Sequence, residues 1–337
     1  MIGIVADCLG VSFKKTGIVT AEGFMDIGYK AVRVIDGRIP LFGGKFRREI
    51  LVGDAVYVCL WGWHVYHTHF GIKRIFWCDT PISLEHIPDS AVDILNNYWC
   101  VVTVTRGERK RFEKRGIKTR GYVPRPLNKK AILKARKTED DRFRKMFGKY
   151  VLFIGGDQIL APPKHPRKGL DRLDQAIGMI RSKLKSMGIR VIAHTNWPYF
   201  KNIEKLQAFY GGLSEDDIYQ LIKQAELFVF PSRLEGFGVP PLEAMALGTL
   251  LVYTDVPTHK EFCVGIPVEG EYTPIREYAP EIGKYWVVYD YSPKALADAI
   301  LYALDLPKSE KEEITSKAML ISENFFNDNV AQMLLKV

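Results

Sequence analysis

Residues 225–262 read AELFVFPSRLEGFGVPPLEAMALGTLLVYTDVPTHKEF and decide the fold class of this chain. The apolar, β-preferring run Leu227–Phe230 predicts a buried strand. A loop with two glycines follows, and then a helical run with proline at its start and glycine at its end. Residues 250–253 predict the next strand. Strand, loop, helix and strand in this order are typical of a parallel sheet, so we predict an α/β fold.

Two carboxylates stand in this unit, Glu235 in the loop and Glu243 in the first turn of the helix, with seven residues between them. The start of a helix presents N–H groups without helical partners and the positive end of the helix dipole, which suit phosphate oxygens. A carboxylate in the same place can accept two hydroxyl groups, as from a ribose or a hexose. Taken alone, the pair has a simpler explanation, in which Glu243 complements the helix dipole and Glu235 is a solvated loop residue.

The residues around the two glutamates form a longer pattern. Residues 232–248, SRLEGFGVPPLEAMALG, are followed by a strand and then by Pro257 and Glu261. This pattern resembles the donor-site signature of retaining family 4 glycosyltransferases, the GT-B fold glycosyl transferases group 1. The resemblance implies two Rossmann-like, doubly wound α/β domains that face each other across a cleft. It also implies an enzyme that transfers a hexose-type sugar from a nucleotide-sugar donor to an acceptor with retention of the anomeric configuration.

Lys168 stands just before a helix whose apolar residues recur at helical spacing. An ammonium group there can neutralise a diphosphate, although a surface lysine is the commoner reason for such a residue. By resemblance, Lys168 matches the family lysine that contacts the donor phosphates. The family arginine that usually follows the preceding strand is absent, because Gly156 and Asp157 occupy its place. We expect Arg167 or Lys164 to substitute for it.

The resemblance assigns roles to further residues. Glu243 would accept the ribose hydroxyls, while Glu235 would hold sugar hydroxyls and stabilise an oxocarbenium-like centre. The loop 210–213 would meet the nucleotide base through its backbone. The predicted donor-binding residues are Gly17, Arg167, Lys168, Gly212, Leu213, Glu235, Gly236, Phe237, Gly238, Val239 and Glu243. The predicted catalytic residues are Glu235, Lys168 and Asp79, and none of them is assigned as a covalent nucleophile.

The first half of the chain supplies two of these candidates. Gly17 is expected at the end of a loop, residues 14–17, where backbone N–H groups can meet a phosphate. Asp79 follows a predicted strand at residues 74–77, and parallel sheets place their chemistry beyond such strand ends. The family usually has a histidine there. His64 and the other histidines nearby are expected to be structural or surface residues rather than metal ligands.

We expect no cofactor and no metal, because a lysine and a helix dipole would neutralise the diphosphate. The sequence has no acidic D-x-D triplet of the metal-using kind. Other readings of the same pattern are a nucleotide-sugar epimerase or phosphorylase with the GT-B fold, or a non-catalytic protein that binds nucleotide sugars. A nucleic-acid-binding protein is a further alternative, suggested by basic charge.

The expected domain organisation follows from the motifs and the resemblance. Residues 1–127 would form an N-terminal, acceptor-side Rossmann-like domain, and residues 128–148 a linker with a short helix. Residues 149–306 would form the nucleotide-sugar-binding Rossmann-like domain. Residues 307–337 would supply a C-terminal helix that returns to the N-terminal domain.

The net charge of +9 belongs to one region. Residues 106–149 hold 18 Lys/Arg and 5 Asp/Glu, and the remainder holds 30 Lys/Arg and 34 Asp/Glu. This basic region suits an anionic membrane surface, an anionic acceptor or nucleic acid, and a merely solvated surface is an equal alternative. Nucleic acid is disfavoured because few aromatic residues are interleaved with the charges. The acceptor is left open as a lipid, a glycan or a protein.

The cysteines and the first residues indicate the cellular compartment in which the protein is expected. Five cysteines are widely scattered without a C-x-x-C pair, which argues for a reducing environment and against a zinc site. The first residues, MIGIVADCLG, read as a strand and lack the charged start of a signal peptide. We therefore expect a cytoplasmic protein, with peripheral membrane contact through residues 106–149 as one option.

Overall fold

The computed structural model describes most of the chain. The described residues are 2–6, 11–30, 32–36, 55–60, 74–78, 89–96, 100–155, 167–195, 200–206, 213–269, 273–279 and 284–337. They form two compact units. Unit 1 comprises Met1–Lys129 and Asn324–Val337, and unit 2 comprises Lys130–Glu323.

Unit 1 is built on a parallel sheet of order β2-β1-β3-β4-β5-β6. Its elements are β1 Ile2–Ala6, α1 Val11–Asp26, β2 Val32–Asp36, β3 Ala55–Leu60, β4 Arg74–Cys78, α2 Asp89–Asn96, β5 Cys100–Thr103, α3 Arg106–Lys114, β6 Thr119–Tyr122 and α11 Asn327–Lys336. All four residues of β5 are buried, as expected for a parallel strand covered on both faces. Thr105 caps α3 by accepting a hydrogen bond from the N–H of Glu108.

The C-terminal helix α11 completes unit 1 by packing against α1. Gly23 permits this close approach, since a Cβ at this position would lie 2.2 Å from the carbonyl oxygen of Asn327. Leu127 forms a parallel bridge with Phe326 beside the same contact. The part of the C-terminus that lies in unit 1 therefore begins at Asn324, later than the predicted residue 307.

Unit 2 has a second parallel sheet, of order β12-β11-β10-β7-β8-β9, and an antiparallel hairpin, β13-β14. Its elements are α4 Lys129–Lys137, α5 Arg142–Phe147, β7 Lys149–Ile154, α6 Leu170–Ser186, β8 Ile189–His194, β9 Glu204–Lys205, α7 Glu215–Lys223, β10 Leu227–Phe230, α8 Val239–Ala246, β11 Leu251–Thr254, β12 Ile266–Val268, β13 Thr273–Ala279, β14 Lys284–Asp290, α9 Pro293–Asp305 and α10 Lys308–Ser322. The core of unit 2 lies between this sheet and the helices α6 and α9. The apolar stripe of α6 faces this core as its spacing predicts: Leu170, Leu173, Ile177, Ile180 and Leu184 are buried.

Three local predictions differ from the structure. Gly17 lies inside α1, whose first residue is Val11, and not in a loop before the helix. The predicted linker contains two helices, α4 and α5, and buried Ile132 and Phe143 make them part of the packed structure. The C-terminal helix predicted within residues 307–337 is instead two helices, α10, which ends at Ser322, and a separate α11. These differences share one cause, because packing against other elements outweighs local propensity.

The basic region of the sequence is divided between the two units. Its second part, in α4 and α5, forms ion pairs within unit 2, such as Arg142 with Asp217 at 2.6 Å and Arg144 with Glu226 at 2.5 Å. Its first part includes α3 in unit 1, where Phe112 is buried and several basic residues are exposed. In the described residues, the helices are too short or too polar to cross a membrane.

Lys223 caps the carboxyl end of α4 by donating hydrogen bonds to carbonyl oxygens there. Its ammonium donates to the carbonyl oxygens of Ala135 at 3.0 Å, Arg136 at 3.0 Å and Thr138 at 2.8 Å. We expect Lys223→Met to lower the free energy of unfolding by about 1–2 kcal/mol, because these carbonyls lose a charged donor at the negative end of the helix dipole. Urea denaturation measures the change.

The exposed Lys185 on α6 supplies the control. Lys185→Met should change the free energy of unfolding by less than about 0.5 kcal/mol. Equal losses in the two variants would contradict a capping role for Lys223.

Candidate functional site

The candidate site lies where the strand order of unit 2 reverses. β7 has β8 on one side and β10 on the other, so the chain runs in one direction from β7 to β9 and then returns to β10. Ligands of doubly wound sheets bind at such a reversal, beyond the carboxyl ends of the strands. The segment after β7 leads to Arg167 and Lys168, just before α6. The segment after β10, residues 231–238, is called the β10 loop below.

The β10 loop and the start of α6 are joined through their backbones. The N–H of Arg233 donates to the carbonyl oxygen of Arg167 at 2.8 Å. Gly169 has a φ of +69°, and a Cβ on it would lie 1.8 Å from the carbonyl oxygen of Pro231. The hydroxyl of Tyr291 donates to the same carbonyl. This contact requires glycine at position 169, and it places Lys168 over the β10 loop.

Glu235 is the centre of a buried cluster of charged and polar groups. Nζ of Lys168 donates to Oε1 of Glu235 at 2.5 Å, and Oγ of Ser232 donates to the same oxygen at 2.6 Å. Nη1 of Arg167 lies 3.6 Å from Oε2. The side chains of Lys168 and Glu235 are only 14% and 6% exposed. The predicted residues Arg167, Lys168 and Glu235 are therefore neighbours, although 67 positions separate Lys168 from Glu235.

The cluster keeps Glu235 ionised. Burial raises the pKa of this carboxyl group, but the charges of Lys168 and Arg167, with the hydrogen bonds from Lys168 and Ser232, outweigh burial and bring the pKa to about 2. Glu235 is thus a carboxylate at neutral pH. It can accept hydrogen bonds or stabilise a nearby positive charge, but it has no proton to donate.

The start of α8 lies next to this cluster. Gly238 caps the helix with a φ of +94°, a conformation that favours glycine. Pro240 and Pro241 have no N–H, so Val239 and the loop before it supply the N–H groups at this helix start. Glu243, one turn further, is 5% exposed. Glu235 and Glu243 are both buried, so neither is the solvated loop or helix residue of the simpler explanation.

The turn after β11 supports the β10 loop and contains residues that the sequence interpretation missed. Oγ1 of Thr258 donates to the carbonyl oxygen of Glu235 at 3.0 Å. His259 is fully buried, and its Nδ1 lies 2.7 Å from the carbonyl oxygen of Thr254. Ser232, in the β10 loop, is also missing from the predicted site residues, although it donates to Glu235. The sequence offered one signal for these residues, namely that they lie within the quoted stretch 225–262. The hydrogen-bond partner of a serine or threonine hydroxyl cannot be read from the sequence.

The remaining predicted residues lie in several places. Gly236 and Phe237 are in the β10 loop, and the ring of Phe237 stacks on that of Phe262 at 4.7 Å. Leu213 directly precedes the Ser214 cap of α7 and is half-buried. Gly17 lies in unit 1, inside α1. Asp79 and Gly212 fall outside the described residues, as do His64 and Lys164.

The candidate site lies within a segment of the sequence that matches a known family. Residues 165–319 match the profile described as Glycosyl transferases group 1, and this segment contains Lys168, Glu235 and Glu243. This segment of the second unit is therefore similar to group 1 glycosyltransferases. The start of α6, the β10 loop and the start of α8 all lie within the matched segment.

Two proteins similar to this chain come from Sulfolobus islandicus filamentous virus (isolate Iceland/Hveragerdi). Putative glycosyltransferase 41 is 27% identical over 267 residues, covering 79% of this chain and 66% of the relative. Putative glycosyltransferase 63 is 28% identical over 196 residues, covering 58% of this chain and 61% of the relative. The chain therefore spans less than two thirds of the length of either relative.

Solved structures establish the fold of this chain. Trehalose-6-phosphate synthase OtsA matches with a TM-score of 0.67 at 9% identity, over 99% of this chain and 98% of that chain. HepE (Alr3699) of Anabaena, in complex with UDP and glucose, matches with a TM-score of 0.64 at 14% identity, over 99% and 98%. The chain has the GT-B fold, which confirms the predicted fold class.

Proposed function

We propose that this chain is a retaining glycosyltransferase that moves a hexose-type sugar from a nucleotide-sugar donor to an acceptor. The observation that supports this most is the buried Lys168–Glu235 pair at the reversal of the sheet, next to the start of α8. The cation Lys168, the ionised carboxylate Glu235 and the start of α8 would each bind one part of such a donor. These parts are the diphosphate, the sugar hydroxyls and the ribose.

In this proposal Glu235 binds the transferred sugar. Both hydrogen bonds described for its carboxylate end on Oε1, so Oε2 is the oxygen that a sugar hydroxyl would reach. The carboxylate is also suited to stabilise the positive charge that develops at the anomeric carbon when the bond to the phosphate breaks. With a pKa of about 2, Glu235 cannot act as a general acid at neutral pH.

Lys168 serves the leaving diphosphate. An ammonium has three N–H groups, so its hydrogen bond to Glu235 is compatible with a second one to a phosphate oxygen. With the N–H groups at the start of α8, it would stabilise the charge on the leaving group without a metal. The departing phosphate would then take the proton of the acceptor hydroxyl as the new bond forms on the same face, which gives retention.

The acceptor is proposed to be a lipid, a glycan or a protein. The exposed basic residues around α3 favour an anionic surface, and we include peripheral membrane contact in the proposal. Co-sedimentation with phosphatidylserine vesicles, compared with phosphatidylcholine vesicles, tests this part separately. Equal, weak binding to both kinds of vesicle would remove membrane contact from the proposal.

A thermal-shift panel of UDP-, GDP- and ADP-sugars tests donor binding. UDP-glucose is the first donor to try, because the HepE structure contains UDP and glucose. Slow donor hydrolysis, with the configuration of the released sugar read by proton NMR, tests catalysis. Net retention supports the proposal, whereas release of the inverted sugar overturns it. Phosphorolysis or epimerisation without transfer would favour the alternative enzymes, and binding without turnover a non-catalytic protein.

Glu243 supplies the sharpest test of donor binding. Glu243→Gln keeps the size of this buried side chain but removes its charge, and carboxylates bind hydroxyl donors more strongly than amides do. We expect the Kd for the stabilising nucleotide sugar to rise about 10- to 100-fold, with a similar change for the matching nucleoside diphosphate, which shares the ribose. Isothermal titration calorimetry measures both values. Unchanged affinity in a folded variant would exclude Glu243 from ribose binding.

A further inference from the structure

The segment after β11 contacts the β10 loop along most of its length. We call residues 255–262 the β11 turn, and Thr254 is the last residue of the strand before it. Oγ1 of Thr254 donates to the carbonyl oxygen of Ser232 at 2.5 Å, and Oγ1 of Thr258 donates to that of Glu235 at 3.0 Å. A Cβ on Gly238 would lie 3.2 Å from Nε2 of His259.

These contacts are buried. Thr254 and His259 are 0% exposed and Thr258 is 5% exposed. Nδ1 of His259 lies 2.7 Å from the carbonyl oxygen of Thr254, which can only accept, so the ring carries a proton on Nδ1. Burial lowers the pKa of His259, against the opposing charge of Glu235, and keeps the ring neutral. The stack of Phe262 on Phe237 extends the contact to the middle of the loop.

The hydroxyl of Thr258 fixes the orientation of the peptide unit between Glu235 and Gly236. A peptide unit is planar, so holding the carbonyl oxygen of Glu235 also sets the direction of the N–H of Gly236. Glycine at positions 236 and 238 leaves the loop backbone few conformational limits of its own. An external contact must therefore select one conformation, and Thr258 supplies it next to the carboxylate that the proposed function assigns to the sugar.

We propose that Thr258 is a positioning residue for nucleotide-sugar binding and that the β11 turn is the template that shapes the β10 loop. This inference rests on the proposed function for its binding test, but the shape of the loop can be measured without any ligand. Thr258 touches no substrate in this proposal. It acts through the peptide unit between Glu235 and Gly236.

Thr258→Val tests the inference, because it removes the hydroxyl and keeps the shape of the side chain. Thr249 provides a matched control: it is 4% exposed and its Oγ1 donates to the carbonyl oxygen of Ile222 at 2.8 Å, away from the β10 loop. Both valine variants should lower Tm by similar amounts, about 2–6 °C. Only Thr258→Val should raise the KM for UDP-glucose, or for whichever sugar of the donor panel stabilises the wild type most, by about 5- to 20-fold. Thr258→Ser, which restores a hydroxyl, should recover most of the affinity.

Hydrogen exchange of the amides of residues 236–239 provides the ligand-free measurement. Faster exchange in Thr258→Val than in Thr249→Val supports the template, even if no nucleotide sugar binds the wild type and the proposed function fails. Equal exchange in the two variants overturns it. Equal KM values in the two valine variants, with a wild type that binds the donor, would also overturn the role of Thr258 in positioning.

Discussion

Replacing Lys168 by methionine is expected to lower the free energy of unfolding by about 3–5 kcal/mol at neutral pH. The side chains of Lys168 and Glu235 are 14% and 6% exposed and are joined at 2.5 Å. Without the ammonium, a buried carboxylate keeps, among the residues that the structure describes, the hydroxyl of Ser232 and the more distant Arg167. Urea denaturation of the variant and the wild type measures the loss.

A double-mutant cycle separates the pair from the individual side chains. Glu235→Gln should also destabilise, because it leaves the ammonium of Lys168 buried without its carboxylate. The double variant Lys168→Met/Glu235→Gln should recover much of the loss, since a buried ion pair replaced on both sides is often near neutral for stability. Losses that simply add would contradict a coupled pair. Lys294→Met is the exposed control, because Lys294 and Asp298 are joined at 2.6 Å but are 74% and 60% exposed.

The same pair predicts a dependence on pH. The pKa of Glu235 falls from an ordinary value of 4.5 to about 2 in the folded chain. Its contribution to stability is therefore complete above about pH 4.5 and is lost as the pH falls towards 2. The difference in stability between wild type and Lys168→Met should shrink over this range. A difference that stays constant down to pH 2 would argue against the ion pair as its source.

Gly169→Ala is expected to cost more than about 3 kcal/mol of folding free energy and to weaken donor binding strongly. The new Cβ would lie 1.8 Å from the carbonyl oxygen of Pro231, so the start of α6 and the β10 loop must move apart. That movement separates Lys168 from Glu235. Thermal denaturation and calorimetric titration with the stabilising nucleotide sugar measure the two effects.

Gly188→Ala is the matched control for this variant. Gly188 has a φ of +67°, close to the +69° of Gly169, but a Cβ on it would meet no described atom within 4 Å. Its replacement should cost only the strain of a left-handed backbone, about 1 kcal/mol, with unchanged donor affinity. Equal costs at the two glycines would show that backbone strain, and not the contact with Pro231, explains the need for glycine at position 169.

Local pattern was sufficient for the elements around the site. β10 spans the predicted Leu227–Phe230, and α8 begins after Gly238 and ends before Gly248, as the proline and glycine signals indicate. The capping box of α7 is equally local, since Ser214 and Asp217 are three residues apart. These features depend on residues within one or two turns of each other, so a single sequence contains the whole signal.

Other features depend on contacts between distant residues and could not be predicted. Gly17 reads as a loop glycine, but α1 extends across it. The hairpin β13-β14 had no prediction, although the N–H of Tyr289, in β14, donates to the carbonyl oxygen of Arg233 at 2.9 Å, beside the site. The sequence does not show that Tyr289 and Arg233 are neighbours, because tertiary packing selects among conformations that local propensity leaves open.

The sequence by itself determined the parallel α/β class, the strand, loop and helix around Glu235 and Glu243, and the candidacy of Lys168. Periodicity and helix-end signals act over short distances, and that is why they could be read directly. Only the tertiary structure decided that Lys168 is bound to Glu235, that Ser232 shares the same oxygen, and that Thr258 holds the next peptide unit. The contacts of Lys168 and Thr258 join the β10 loop to segments that follow other strands, and the order of the strands in the sheet sets where these segments meet.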